Sequence, residues 1–300
     1  MFDLRYHVVS LAAVFLALVI GVLLGVGISE TGRVDDVERD SYEARIADLD
    51  RRLDAAAEQD LANEGQRKAA DTLFDEAYPL FMQDRLAGRR VVTLFVGPGK
   101  SDGAVRRGLE RMLSDGGANG PFRFRALDVP FDAKAIGGEL DGHADFARFN
   151  RPGSYGELGE QLAKELVAGG DTPLWDALSP LIVGEEAGIG ALPPDAVVVA
   201  RSAEPQQAET AAVLAGLYRG LAGGAVPAVG VEVTESKPSA VPAFKRMGLS
   251  TVDAIDTDVG RLAAALVLSG ASIGDYGVKD TAEDGVMPTP VEPVATTTVG

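Results

Sequence analysis

Residues 91–114 read VVTLFVGPGKSDGAVRRGLERMLS, and this stretch decides the fold. Its first six residues are mostly apolar and β-branched, which is typical of a buried strand. After a short turn of glycine and proline, residues 102–114 carry apolar side chains at helical spacing. A strand followed by a helix predicts one unit of an alternating α/β fold.

The same order of strand and helix recurs towards the C-terminus. Further strands are predicted at residues 122–127, 196–200, 225–232 and 250–252. Further helices are predicted at residues 154–168, 206–221, 240–247 and 257–268. The last helix has Asp256 or Thr257 as its N-cap and Gly270 beyond its end. This alternation predicts an α/β domain over residues 88–278, with a mostly parallel sheet and helices on both faces. Residues 279–300 are rich in Pro, Thr and Val without periodicity, which predicts a disordered tail.

The N-terminus contains an uncharged apolar run of 22 residues, at positions 8–29. As a helix it would be about 33 Å long, enough to cross a hydrocarbon core of roughly 30 Å. A cleaved signal peptide is the alternative, because Gly25-Val26-Gly27 resembles a cleavage site. Signal peptides have shorter apolar cores, of about 7–15 residues. The length therefore favours a retained transmembrane anchor, residues 1–30, that crosses the cell membrane once. Counts of Lys and Arg do not fix its orientation, because long domains translocate largely regardless of them.

Small residues recur at every fourth position of this apolar run, at Ala13, Ala17, Gly21 and Gly25. Such a ridge lets two helices approach closely and is typical of membrane helices that self-associate. Chance is the alternative, because small residues are common in membrane helices. The ridge favours a homo-oligomer.

Residues 31–87 are rich in Asp, Glu, Arg and Ala, and they predict a helical stalk that Tyr78-Pro79 interrupts. Four apolar residues in it have the 3-4-3 spacing of a coiled-coil seam: Ile46, Leu49, Leu53 and Ala56. The seam extends over only about two heptads. A solvated helix that packs on its own domain is the alternative.

Composition excludes several classes of function. The net charge of −17 is of the wrong sign for gripping phosphate backbones, so nucleic acid is not a predicted partner. The chain has no cysteine, which rules out disulfides, thiolate catalysis, iron–sulfur clusters and Cys-based metal sites.

The turn Gly97-Pro98-Gly99-Lys100-Ser101 ends like a phosphate-binding P-loop. A P-loop also needs a glycine five positions before Gly99, where this chain has Leu94. A tight turn from strand to helix explains these residues without a nucleotide.

Few residues are candidates for binding a metal. His143 lies between Asp141 and Asp145 in a loop, and the three could hold Cu²⁺ or Zn²⁺ weakly. An exposed loop histidine is the alternative. A second acidic cluster, Asp253, Asp256 and Asp258, could coordinate Mg²⁺ or Ca²⁺, but helix capping and the helix dipole explain it more simply. With no paired histidines and no Ser-His-Asp arrangement, we predict no cofactor and no enzyme.

Both ends of the chain resemble one known family. Residues 4–18 read LRYHVVSLAAVFLAL and residues 20–25 read IGVLLG; residues 249–257 read LSTVDAIDT, followed by Gly260-Arg261 and Tyr276-Gly277. These strings resemble the actinobacterial copper transport protein B (MctB/SctB-type) family, and the order of anchor, coil and α/β body is similar too. The resemblance implies a membrane protein of the cell envelope that keeps intracellular copper low. In mycobacteria the family label includes an outer-membrane, channel-like protein.

Two functions follow from this resemblance. The first is a role in copper homeostasis, with copper as the transported ion, the chain forming part of an efflux or channel assembly and its α/β domain on the envelope side. The second is a non-transporting scaffold that recruits partners through the coil and the α/β domain. Cu(I) prefers thiolate and thioether ligands. The five methionines of this chain are scattered, without a Met-x-x-Met pair.

Overall fold

The computed structural model describes residues 11, 13–22, 34–97, 103–118, 123–188, 192–202 and 204–289. The chain divides into two compact units, residues 1–72 and residues 73–300. The sheet and the helices that cover it belong to the second unit.

Seven strands form one sheet in the part of the chain that the structure describes. Their bounds are β1 (Val91–Val96), β2 (Arg123–Leu127), β3 (Val183–Ala187), β4 (Ala196–Arg201), β5 (Ala228–Val231), β6 (Ser250–Val252) and β7 (Asp275–Tyr276). They lie in the order β3-β2-β1-β4-β5-β6-β7. All neighbours are parallel except β3, which pairs antiparallel with β2 at one edge. The predicted mostly parallel sheet is confirmed.

The helices, labelled from the first whose bounds the structure gives, connect these strands. They are α1 (Val34–Met82), α2 (Gly103–Asp115), α3 (Ala133–Asp141), α4 (Tyr155–Ala168), α5 (Pro173–Ile182), α6 (Ala208–Ala222), α7 (Val241–Arg246) and α8 (Asp258–Leu268). Thr257 is the N-cap of α8, since its side chain accepts a hydrogen bond from the Gly260 N–H.

Side chains of the central strands alternate between the two faces of the sheet, as period-2 geometry requires. In β1, Val91 and Phe95 belong to a core with side chains of α2 and α8. Val92 and Leu94 belong to a second core, with side chains from α3 to α7. Helices therefore cover both faces, as the alternating sequence predicts.

Helices α4 and α6 pack with their backbones in contact. A Cβ atom at Gly216 would overlap the carbonyl oxygen of Gly156, and a Cβ at Gly159 would overlap that of Val213. Only glycine permits this approach, because any side chain would push the two helices apart.

The sequence did not predict α3, α5, β3 or β7. Helix α5 contains Pro180 in its interior, where proline does not indicate a helix. Its first turn is held from outside, because the Glu165 carboxylate of α4 accepts hydrogen bonds from the N–H groups of Leu174 and Trp175, at 3.0 and 3.1 Å.

The predicted interruption at Tyr78-Pro79 is wrong. Pro79 lies inside α1, which continues to Met82. Proline costs this helix one backbone donor, but Tyr78 and Met82 are buried in the first core and hold the last turn in place.

The predicted disordered tail, residues 279–300, begins too early. Lys279 N–H and the Thr281 hydroxyl donate to the buried Asp253 carboxylate, both at 3.1 Å. Asp284 N–H donates to the Asp275 carbonyl at 3.0 Å. Composition does not reveal these hydrogen-bond partners, because they lie in other segments of the chain. Residues 290–300 of the predicted tail lie outside the described residues.

In the first unit, residues 13–22 are helical and exposed. Leu11 is also helical. The remaining residues of the predicted span, 8–10, 12 and 23–29, lie outside the described residues. Across the described ranges, no helix combines the length and the apolarity needed to cross a membrane.

Candidate functional site

The structure does not assemble the predicted metal site near His143. The Nε2 atom of this half-exposed histidine lies 3.2 Å from the Glu139 carboxylate, one turn back. Asp141 accepts a hydrogen bond from the Asn150 amide at 2.8 Å, and Asp145 is exposed. No group of three or more His, Asp or Glu in the described ranges is placed to hold a metal ion.

The methionines are placed mainly as packing residues. Met82 and Met112 are fully buried in the first core. Met287 packs against the same core and Met247 against the second, while Met1 lies outside the described residues. The Met247 sulfur accepts a hydrogen bond from Arg219 at 3.6 Å.

The residues predicted for self-association are only partly described. Ala13, Ala17 and Gly21 lie on an exposed helix, and nothing lies within 4 Å of a Cβ placed at Gly21. Gly25 and the side chain of Ile46 lie outside the described residues. Leu49 and Leu53 are 59% and 67% exposed. The coiled-coil seam and the helix pair remain predictions.

The acidic cluster after β6 holds the C-terminal segment in place. Asp253 is buried, and its carboxylate accepts hydrogen bonds from the N–H groups of Val278 and Lys279 and from the Thr281 hydroxyl. Helix capping, the simpler explanation from the sequence, is therefore wrong for Asp253. Backbone and hydroxyl donors satisfy the hydrogen-bonding capacity of this buried carboxylate.

The other two acids of the cluster have different roles. The Asp256 carboxylate accepts from the N–H and the hydroxyl of Thr234, at 2.8 and 3.0 Å. Asp258 lies in the first turn of α8, where the helix dipole favours it, and pairs with the Arg261 guanidinium.

Glu232 directly follows β5 and is fully buried. It carries the second carboxylate that holds the C-terminal segment. It accepts hydrogen bonds from the Ser239 hydroxyl, from the Ala240 N–H at 2.6 Å and from the Lys279 ammonium at 2.6 Å. The ammonium also donates to the Val233 carbonyl at 2.8 Å. This ion pair joins the segment after β7 to the end of β5, which lies two strands away in the sheet.

Arg261 connects α8 to the end of α1. Its guanidinium lies 5.8 Å from the centre of the Tyr78 ring and donates from Nε to the Tyr78 hydroxyl at 3.4 Å. The hydroxyl donates to Asp115 at 3.0 Å. Burial raises the pKa of Tyr78 to about 12, with Arg261 acting against that rise and Asp115 adding to it.

The C-terminal strings of the family resemblance meet at the carboxyl ends of β6 and β7. Asp253 and Gly277 are in direct contact, because a Cβ at Gly277 would overlap the Asp253 carboxylate. Thr257 and Arg261 lie at the start of the adjoining helix. A family model described as "Copper transport outer membrane protein, MctB" matches residues 1–288. The chain belongs to the MctB family.

The match to the MctB family covers both units, from the apolar N-terminus to the segment that Asp253 holds. No curated protein matches the chain. In this MctB chain Asp253, Glu232 and Lys279 form a C-terminal clamp, in which both carboxylates accept hydrogen bonds from donors of the same chain. Their arrangement suits holding the C-terminal segment. Sequence reasoning missed this role for Lys279, although a lone lysine after Tyr276-Gly277 was a visible signal.

Proposed function

We propose that this MctB family member is a membrane-anchored envelope protein of copper homeostasis, which acts as part of an efflux or channel assembly and catalyses no reaction. The observation that carries this proposal is the family match over residues 1–288, whose description names copper transport. Copper is then the transported ion and not a resident cofactor.

The exposed apolar helix supports an anchor. Leu11, Phe15 and Leu16 are each about two-thirds exposed, at 66%, 65% and 65%. Contiguous apolar surface of this kind is unfavourable in water, and contact with lipid removes that cost. We propose a single pass through the cell membrane, with the α/β unit on the envelope side. Fractionation of the envelope separates this location from the outer membrane that the family description names.

The side chains of the described residues favour transport by an assembly over storage in one chain. Soft Cu(I) ions need thiolate or thioether ligands, and this chain has no cysteine. Met82 and Met112 are fully buried. A single anchor helix cannot line a pore alone, so an assembly of several chains or partners must form any pathway.

Deleting the gene tests the copper role. We expect higher cell-associated copper and greater copper sensitivity, both restored by the wild-type gene. The purified full-length protein should bind Cu(I) no better than a weak surface site in a competition titration, with Cu²⁺ titrated in parallel. Normal copper tolerance of the deletion strain would contradict the role in homeostasis, and tight stoichiometric Cu(I) binding would contradict transport by assembly.

We also propose that copies of the chain pair through Ala13, Ala17, Gly21 and Gly25, and that Ile46, Leu49 and Leu53 extend the contact. Replacing Gly21 and Gly25 by Ile should lower the crosslinking yield in membranes, because two β-branched side chains keep the helices apart. Val19→Ile is the control, since Val19 lies two residues, about 200°, away from Gly21 on the helix. Unchanged crosslinking of the double variant would show that the soluble units hold any oligomer.

The scaffold function is the alternative, and the long exposed helix α1 favours it. Residues 51–72 of α1 are all exposed. A helix of this kind suits recruitment of another helical protein. A deletion phenotype that does not depend on copper would support the scaffold over transport.

A further inference from the structure

The second unit contains a cleft of about 280 Å³ that the copper proposal does not use. It lies between α6 and α7, beside the carboxyl end of β4. Six residues that matter for its chemistry line it: Arg201, Gln206, Leu214, Tyr218, Arg246 and Met247.

One end of the cleft lies at the carboxyl end of β4, on the side of the sheet where open α/β folds bind ligands. From β1 the chain builds outwards to β2 and β3, then returns to β4 on the other side of β1 and builds outwards to β7. Ligands of such sheets bind beyond the carboxyl ends of the strands near this reversal of direction. Arg201 is the last residue of β4, so it occupies such an end.

Tyr218 lines this cleft and carries an unpaired hydroxyl. The side chain is 3% exposed, and its ring packs edge-on against Phe244, with 4.9 Å between the ring centres. The hydroxyl oxygen is buried and has no hydrogen-bond partner in the described part of the chain. Buried hydroxyls are normally paired, so an unpaired one at the wall of a cleft points to a ligand. Burial raises the pKa of Tyr218, against the opposing charge of Arg201, so the hydroxyl stays protonated and can donate.

Arg201 supplies a buried positive charge to the same cleft. The residue is 8% exposed, and its Nη2 atom donates to the Ser239 carbonyl at 3.0 Å. Among the described residues no carboxylate lies within ion-pair distance of its guanidinium. Glu232 accepts a hydrogen bond from the hydroxyl of the same Ser239 and is paired with Lys279. A buried guanidinium without an anion is costly.

The rest of the lining adds a second charge and an apolar wall. Arg246 is exposed and also lines the cleft, and none of the described residues that line it is acidic. Leu214, Ala243 and Met247 form the apolar part. In a chain with a net charge of −17, a cleft with two arginines and no carboxylate has the opposite sign to the whole.

We propose that this cleft binds a small organic anion, whose carboxylate or phosphate group contacts Arg201 and Tyr218 and whose compact apolar body lies against Leu214, Ala243 and Met247. The anion accepts hydrogen bonds from the guanidinium and from the phenolic O–H, which gives the buried charge a counter-ion and the hydroxyl a partner. The size of the cleft limits the ligand to one ring or a short chain.

Calorimetric titration of the full-length protein in detergent with four probes tests the proposal: benzoate, phenyl phosphate, inorganic phosphate and neutral benzamide. We expect benzoate or phenyl phosphate to bind at least roughly tenfold more tightly than benzamide, as a charge-assisted hydrogen bond requires. The two organic anions distinguish a carboxylate ligand from a phosphate ligand. Binding of inorganic phosphate alone would overturn the apolar half of the proposal, and binding of none of the probes at millimolar concentration would overturn all of it.

Two variants locate the binding. Arg201→Gln should weaken the preferred organic anion by roughly tenfold or more, whereas Arg111→Gln, an exposed arginine on α2, is the matched control and should not. Tyr218→Phe removes a hydroxyl that has no partner in the described chain, so it should leave the urea midpoint unchanged or higher while it weakens binding several-fold. Unchanged affinity in Tyr218→Phe would overturn the assignment even if Arg201→Gln fails to fold.

Discussion

Helices α1 and α8 differ sharply in what surrounds them. Residues 51–72 of α1 are all exposed, including Leu53 and Leu61 at 67% and 69%. In α8, nine of eleven residues are buried, from Gly260 to Leu268. Both helices carry leucine and alanine, but residues 51–72 of α1 are exposed, whereas residues 262–268 of α8 pack in the first core.

The comparison separates apolar side chains that the described chain buries from apolar side chains that it leaves exposed. A helix gains most of its stability from packing of an apolar face. For α8 the sheet provides that packing. Residues 51–72 of α1 are exposed, so the assembly proposed above concerns the first unit.

The largest expected effect is a direct contrast between leucines of the two helices. Leu262→Ala in α8 should lower the free energy of unfolding by about 3 kcal/mol, because it opens a cavity in the first core. Leu53→Ala in α1 should change it by less than about 0.5 kcal/mol. Urea unfolding followed by the fluorescence of Trp175, the single and fully buried tryptophan, measures both. Equal losses in the two variants would abolish the contrast.

The C-terminal clamp sharpens the comparison, because the second unit pairs its buried Glu232 carboxylate with its own Lys279. Lys279→Met should lower the free energy of unfolding by about 2–3 kcal/mol, since it leaves the Glu232 carboxylate buried without its cation. Lys134→Met, at an exposed position of α3, is the matched control and should be nearly neutral. The same urea titration applies. A neutral Lys279→Met would mean that the segment after β7 is not part of the cooperative unit.

The smallest effect concerns the contact between Tyr78, at the end of α1, and Arg261 of α8. Tyr78→Phe should cost about 1 kcal/mol at neutral pH, the value of a part-buried hydrogen bond. The pKa of Tyr78 is about 12 in the folded protein because of burial, against about 10 in the unfolded chain.

The sign of the pH dependence follows from that raised pKa. The protonated hydroxyl stabilises the fold below about pH 10, and this contribution is lost as the pH rises through 12. Tyr78→Phe should therefore lose less stability between pH 9 and pH 12 than the wild type, in urea titrations at each pH. An identical slope in both proteins would show that the Tyr78 hydroxyl is free to ionise in the fold.

The sequence predicted most of the sheet but few of the contacts that complete it. Strands β1 and β6 were predicted to the residue, because apolar runs with clear boundaries identify buried strands. Strand β3 was missed because its sequence, VGEEA, carries two glutamates, one of which pairs with Arg106 at 3.2 Å. Helix α5 was missed because Glu165 of another helix caps it.

Sites were harder to predict than strands for the same reason. His143 and its flanking aspartates are adjacent in sequence, but their side chains turn to Glu139 and Asn150. Arg201 and Tyr218 were not singled out, since one ends an apolar strand and the other lies within a helix. Only the packing of α6 beside β4 brings them to one cleft. An arginine that directly follows AVVVA was the available signal.

The two edges of the sheet have a consequence for how the protein behaves when its copies are crowded together. One edge is β3, a short antiparallel strand with Glu185 and Glu186, and the other is β7, only two residues long. Unpaired strand edges otherwise recruit strands from neighbouring molecules, and charge or shortness prevents this. Copies held side by side at high local density can therefore associate through helices without fusing their sheets into a fibre.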